Sequence, residues 1–281
     1  MSLMGKEHCF NFNMEKKKIN KAVFGTTEWA VCNANFLNGC SNDCKYCYSK
    51  EMAIRFKRKT PHNWKDEEIN KDALNRKFNH KDGYIMFPST HDITPIHLSN
   101  AINFLKSLLC NNNDVLIVTK PNFECVQKIC DSFTSYRDHI LFRFTVGSAD
   151  SNVLKFWEPN APSYEERRRA IVYAYEHGYN TSLSCEPMLD DNIDAVVSDL
   201  QDFVTDSIWL GKMNFVLRRL KANGYDDPQT QKAASLILLW QSDNNILRLY
   251  ERFKDNPKIK WKESIKKVVG LEISMQKGED M

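Results

Sequence analysis

The chain has 281 residues, 42% hydrophobic and 27% charged, which supplies one large core and excludes wholesale disorder. Its 39 basic and 36 acidic side chains leave a net charge of +3, too small to announce nucleic-acid binding by itself. The longest apolar runs, VLIV from Val115 and LILLW from Leu236, fall far short of the ~20 residues that cross a bilayer, and the N-terminus has no signal-peptide core, so a cytoplasmic protein without membrane association is expected.

After a polar, basic lead at Lys16 to Lys21, EWAVCNA (residues 28–34) reads as a first strand, followed by the cysteine-rich stretch GCSNDCKYCYSK from Gly39. Residues 48–56 suit a short helix, and the polar stretch over 57–80 a connection containing a helix. GYIMFPS (83–89) is a second strand. LSNAINFLKSLL (98–109) carries apolar residues at helical spacing, with Ser99 in position to cap it. The alternation continues with DVLIVTK (114–120) as strand, 123–133 as helix and HILFRFTVG (139–147) as strand. A helix over 163–177 follows, capped by Ser163 with Glu166 at the capping-box spacing and ended by Gly178. YNTSLSCEPM (179–188) is strand, 193–203 helix, and SIWLGKM (207–213) a sixth strand.

Such alternation implies parallel strands with helices outside, either an open doubly wound sheet or a partial barrel. The expected division is an N-terminal lead over 1–27, a core domain over 28–215 and a helical, basic C-terminal extension over 216–281. In both architectures ligands bind at the strands' C-terminal ends. The polar segments after each strand, from the cysteine loop through PSTHD, TKP, GS and CEP to GKMN, therefore share one mouth.

An odd number of cysteines, nine, in a reducing setting favours metal binding or burial over a disulfide framework. Cys110, Cys125, Cys130 and Cys185 lie in apolar or helical contexts and read as small core residues. Cys40, Cys44 and Cys47 form one compact group without a fourth member. A structural zinc ion takes four closed ligands, and a closed 4Fe-4S cluster takes four cysteines. Three cysteines leave one iron of such a cluster open, and an open iron serves catalysis. The alternatives are a zinc-binding module and a non-catalytic iron-sulfur carrier with Cys32 as hidden fourth ligand.

The CxxxCxxC spacing after a first strand, with Tyr46 before the last cysteine, resembles the radical S-adenosylmethionine (SAM) superfamily. That resemblance implies a radical SAM enzyme built on a partial (β/α)6 barrel with a helical C-terminal extension. It implies a 4Fe-4S cluster on Cys40, Cys44 and Cys47 as metal ligands, SAM chelating the fourth iron, and a 5'-deoxyadenosyl radical that abstracts hydrogen from a substrate. An external electron donor of the flavodoxin or ferredoxin kind is implied as well.

CxYCY from Cys44, PSTHDITPIHLSNAI from Pro88, TKP from Thr119, EPNAPSYEERRRAI from Glu158 and SCEPMLD from Ser184 look like the spore photoproduct lyase branch, which implies a nucleic acid or nucleotide substrate. In that branch a cysteine after the second strand returns hydrogen to the product. Here the position reads Ser89, whose O–H bond is too strong for that role. Tyr48, matching a lyase tyrosine beside the cluster, is either the hydrogen relay or a packed aromatic, and Cys185 is the alternative thiol.

By the same resemblance, Asp92 with neighbours Ser89, Thr90 and His91 faces the SAM amino group. Lys120, costly to bury without an anion, pairs with the SAM carboxylate. Arg143 either joins the site or makes an internal salt bridge. Thr145, Ser148 and Ser184 are candidates for the ribose hydroxyls. Glu186 faces SAM or substrate, and Tyr46 with the close approach at Gly211 borders the adenine. The basic runs at Arg167, Arg218 and Lys258 read as solvated faces unless they converge on one phosphate-binding rim.

Overall fold

The computed structural model describes residues 23–280, so the basic lead from Lys16 to Lys21 lies outside it. In chain order the elements are β1 (Cys32–Asn33), β2 (Leu37–Asn38), α1 (Tyr48–Arg55), β3 (Glu68–Ile69), α2 (Lys71–Leu74), β4 (Ile85–Phe87), α3 (Leu98–Leu109), β5 (Val115–Thr119), α4 (Phe123–Ser132), β6 (Ile140–Thr145), α5 (Ser151–Trp157) and α6 (Tyr164–Glu176). They continue through β7 (Asn180–Cys185), α7 (Ile193–Leu200), β8 (Ile208–Leu210), α8 (Val216–Asn223), α9 (Pro228–Trp240), α10 (Asp243–Phe253), β9 (Ile259–Trp261) and α11 (Glu263–Val269).

Seven strands form one parallel sheet in the order β1-β4-β5-β6-β7-β8-β9, while β2 and β3 make a separate two-stranded antiparallel ladder. The fold is α/β of the partial-barrel type, with helices packed on one face of the sheet. Register divides the side chains. Ile85, Val115 and Ile140 align on the helix-covered face, and Phe87, Ile117 and Phe142 align above them. On the interior face, Met86, Leu116 and Leu141 form the lowest row, Val118, Arg143 and Ser182 the next, and Thr145, Ser184, Trp209 and Lys260 the uppermost.

The sheet gains a seventh strand from a segment expected to belong to a helical extension. β9 has three residues, IKW, with lysine in the middle, too short to register as a strand in sequence. Lys262, just beyond β9, forms a buried ion pair with Glu28, ahead of β1, at 2.8 Å. The two edge strands are thereby tied across the open side of the sheet. The first strand is also shorter than expected, because Gly25–Glu28 turns as a 3-10 helix.

At α6 the Ser163 hydroxyl accepts from the Glu166 amide at 3.3 Å, as its spacing predicts. The Glu166 carboxylate does not complete a capping box; it accepts from Asn122 and from the Phe123 amide at the start of α4. Ser99 does not cap α3. A 3-10 turn at Pro95–His97 runs directly into Leu98, so Ser99 lies inside the first turn. Among the described residues no helix is long and apolar enough to cross a membrane.

Candidate active site

The β2–β3 ladder positions the cysteine loop. Gly39 has φ +101° and runs so close to the 64–66 backbone that a β-carbon would lie 2.5 Å from the Asp66 carbonyl. The Cys40 amide then donates to the Trp64 carbonyl at 3.0 Å. Other elements clamp the loop: Ser41 donates through its amide to Glu67 (2.9 Å), Asn42 to Asp92 (2.9 Å), and the Lys45 amide to the Trp157 carbonyl (2.9 Å). Asn223 of α8 donates to the carbonyls of both Lys45 and Cys47 at 2.9 Å. Cys47 caps α1, its sulfur accepting from the Lys50 amide at 3.4 Å.

Cys40 and Cys44 are buried and Cys47 is partly exposed. Burial, reinforced by the carboxylate of Asp92 and by the neighbouring thiols, pushes the Cys40 thiol far up. Burial likewise raises Cys44 against the pull of Lys120, and Cys47 against the helix amides. Each of these shifts favours the neutral thiol, and a metal cation bound there would favour the thiolate. Among the described residues no three His, Cys, Asp or Glu side chains converge on a single ion position.

Cys32 shares the outer face of the sheet with Ile85, its sulfur 3.7 Å from the Asn33 carbonyl, and packs against the main core. Cys185 also belongs to that core, on the opposite face from Ser184, so it offers no thiol to the mouth.

A buried polar hub lies beside the cysteine loop. Glu158 accepts from the Tyr46 hydroxyl and, at 2.5 Å, from Arg167; the Lys120 ammonium is 3.8 Å from the same carboxylate. Burial alone would raise the Glu158 carboxyl, but Arg167 and Lys120 together hold it below the usual carboxylate range. Arg167 also donates to the Thr145 carbonyl (3.1 Å) and the Pro162 carbonyl (2.9 Å), and it is fully buried. Its reading as a solvated charge is corrected: in α6 it shares the inner stripe with Tyr164, Ala170, Ile171 and Ala174. That position on an apolar stripe was the sequence signal.

The segment after β4 is organised by Asn35, which sequence reasoning missed. Its side chain receives the Ser89 and Thr90 amides (2.8 and 2.9 Å) and donates to the Ser89 hydroxyl at 2.9 Å. The Tyr48 hydroxyl donates to the Ser89 carbonyl, and Thr90 is exposed.

Asp92 is saturated. One oxygen accepts from Thr119 and from the Ile93 amide at 2.8 Å, the other from Asn42 at 2.9 Å and from the Lys120 amide at 3.1 Å. Four donors fill a carboxylate's acceptor sites, so Asp92 holds the cysteine loop to the end of β5 and its oxygens are not free for an incoming amino group. His91 is also a structural residue. Its Nε2 accepts from the Phe36 amide at 3.3 Å, its Nδ1 lies 2.9 Å from the Asp92 carbonyl, and burial depresses its pKa to about 4, so the ring is neutral.

Arg143 points into the sheet's interior one row below Thr145, short of the mouth. It donates to Ser182 at 3.0 Å, lies 3.4 Å from Asp206, and stands 4.6 and 5.4 Å from the Trp29 and Trp209 rings. The internal-salt-bridge alternative is the one observed. Ser148 is directed to Asp190. Thr145 and Ser184 do reach the mouth on the uppermost interior row, and neither hydroxyl has a hydrogen-bond partner among the described residues. Glu186, beyond β7, lies 3.5 Å from Lys262 and packs over Gly211, where a β-carbon would come within 2.9 Å of its side chain.

The basic runs stay apart, on α6, α8 and the β9–α11 segment, packed against α4, α1 and α10 respectively. Arg168 pairs with Asp199 at 3.0 Å, and Arg218 with Glu51 at 3.0 Å.

A parallel sheet with three cysteines on the loop at its C-terminal mouth is the arrangement of a radical SAM enzyme, and the family comparison shows that class. Residues 34–203 match the family model of the Radical SAM superfamily, and the chain belongs to it. An uncharacterized protein of Methanocaldococcus jannaschii is 28% identical over 183 residues, covering 64% of this chain and 67% of the relative. Among solved structures, a variant of spore photoproduct lyase with dinucleoside spore photoproduct superposes with a TM-score of 0.55 at 16% identity over 87% of this chain and 79% of the other. A further lyase variant with bound AdoMet and dinucleoside spore photoproduct gives 0.54 at 15% identity with the same coverage. At these identities the likeness is one of fold.

Proposed function

We propose that the protein cleaves SAM reductively at a 4Fe-4S cluster held by Cys40, Cys44 and Cys47. The observation that carries this reading is the placement of Cys40, Cys44 and Cys47 on one clamped loop at the mouth of the sheet, inside the segment that matches the superfamily model. When bound, the cluster and SAM together supply a 5'-deoxyadenosyl radical for hydrogen abstraction.

The chain's own residues divide the remaining work. Lys120 offers an ammonium to the SAM carboxylate while Glu158 keeps it in reach. Thr145 and Ser184, with unpartnered hydroxyls, suit the ribose. Tyr46 borders the bound cofactor with its hydroxyl anchored on Glu158, and Tyr48 spans the mouth from Cys47 to Ser89. Ser89 and Thr90 line that edge, whereas Asp92 and His91 act by holding the loop in shape. Glu186 faces the substrate side.

For the substrate we propose a nucleic acid or nucleotide, supported by a shared fold with a lyase whose structure holds a dinucleoside spore photoproduct. Affinity for a polynucleotide that falls steeply with added salt is the expected signature; binding insensitive to salt sinks this part.

The test is anaerobic: reconstitute with iron and sulfide, reduce with dithionite, add SAM and assay 5'-deoxyadenosine. Production by the wild type that is lost in Cys44→Ala supports the assignment. A wild type that binds zinc, or a cluster indifferent to SAM, overturns it.

A further inference from the structure

We propose that the outer face of α1 and α8 is the docking surface for an acidic one-electron carrier protein, an inference that rests on the cluster reading above. The reductive cleavage proposed above consumes an electron with each SAM, so the reducing electron enters from outside. It enters where the cluster comes nearest the surface. Of the three thiols only Cys47 is partly exposed, and α1 begins on it.

The exposed stripe of α1 is Tyr48, Met52, Arg55 and Phe56, spaced at successive helical turns. All of it lies within about 14 Å of Cys47 at the rise of an α-helix. α8 packs beside α1, joined by the Arg218–Glu51 pair and by Asn223 on the Cys47 carbonyl. It adds Phe215, Leu217, Arg218 and Lys221 to the same surface. Arg219 bridges the two halves, 6.0 Å from the Tyr48 ring and 5.8 Å from that of Phe215.

Two properties of this face select the partner. Its apolar centre is exposed where a lone protein would bury it: Phe215 is 65% and Phe56 58% accessible. Phe215 is held outward at φ +55°, a conformation that strains a bulky residue. The rim is cationic. Arg55, Lys57, Arg58 and Lys221 have no carboxylate partner among the described residues, and the one acid between the helices, Glu51, is engaged by Arg218 and Arg219. An apolar contact ringed by unpaired cations next to a redox centre suits a small, transient interface with an acidic partner. This face meets the substrate mouth at Tyr48, whose hydroxyl donates to the Ser89 carbonyl, and runs away from it along α1 toward Arg55 and Phe56. One electron passes from the reduced carrier, which is oxidised, to the iron held by the cysteines; no bond forms or breaks.

The experiment compares two reductants on reconstituted full-length protein, wild type and the variant R55E/K57E/R58E/K221E, whose positions all lie outside the cluster and SAM site. Bleaching of the cluster is followed by stopped flow with reduced acidic flavodoxin and, separately, with dithionite. The expected result is a flavodoxin rate about ten- to a hundredfold lower in the variant at low salt, with an unchanged dithionite rate. The wild-type flavodoxin rate should fall toward the variant's as salt is added. Phe56→Ser should slow flavodoxin and leave dithionite untouched.

Equal flavodoxin rates in wild type and charge variant overturn the proposal, as does an equal loss with both reductants. Loss of polynucleotide binding in the charge variant at an unchanged flavodoxin rate also overturns it and gives the face to nucleic acid. A wild type that dithionite fails to reduce condemns the cluster reading itself, and this proposal with it.

Discussion

At the floor of the sheet's interior, Arg143 is buried against Asp206, Ser182 and the rings of Trp29 and Trp209. At the mouth, three thiols, two of them buried, stand near the carboxylates of Asp92 and Glu158. The floor lacks only hydrogen bonds: Arg143 Nη1 and the Trp29 and Trp209 Nε1 atoms are without partners among the described residues. The mouth lacks charge. A missing hydrogen bond is met by water or tolerated at modest cost, whereas a cluster of buried thiols needs a cation before it can ionise. The difference separates a region that completes itself on folding from one that waits for a ligand.

The sharpest way to break that comparison is to remove a thiol. Cys40→Ala, Cys44→Ala or Cys47→Ala should each lower cluster-dependent SAM cleavage by more than about 100-fold while leaving the apoprotein's urea midpoint near wild type. A strongly destabilised apoprotein would mean that the thiols serve packing. Next in size is Glu158→Gln, which strands the buried Arg167 and should cost about 3–5 kcal/mol in urea unfolding. Arg143→Met should cost less, about 1–3 kcal/mol from hydrogen bonds and ring contacts, and leave SAM affinity by calorimetry unchanged. A loss of SAM affinity in Arg143→Met would return that residue to the site.

What the sequence made legible follows the range of each signal. Cysteine spacing is local, and so is the alternation that carries Thr145 and Ser184 to the interior; both were readable. The same alternation also turned Arg143 inward, but its row was set by pairing with Val118 and Ser182, which no single strand reveals. Glu158 and Arg167 are nine residues apart in the chain, yet their roles depend on Tyr46 and Lys120, brought from other loops. Asp92 was expected to face the SAM amino group; its four donors come from three loops that meet only in the folded chain, so no local pattern displays their convergence. β9 escaped notice because a three-residue strand has no periodicity to display.

The gentlest test concerns His91, which lies at the mouth and yet resembles the floor in being complete without a ligand. Its ring is neutral in the folded protein, with a pKa of about 4, against an ordinary value near ~6.5 once unfolded. Between those values the unfolded chain binds a proton that the folded one refuses, so stability rises with pH across the window and is lost as pH falls through it. The full span amounts to roughly 3 kcal/mol, most of it gone by about pH 4.5. Urea midpoints should therefore slide downward as the buffer is acidified through this range. In His91→Gln, whose amide oxygen can still accept from the Phe36 amide, that slope should flatten. An unchanged slope in the variant would assign the acid sensitivity to the Glu158–Arg167 pair instead. There, Glu158 is held below the usual carboxylate range and loses its contribution only as pH drops through that lower value.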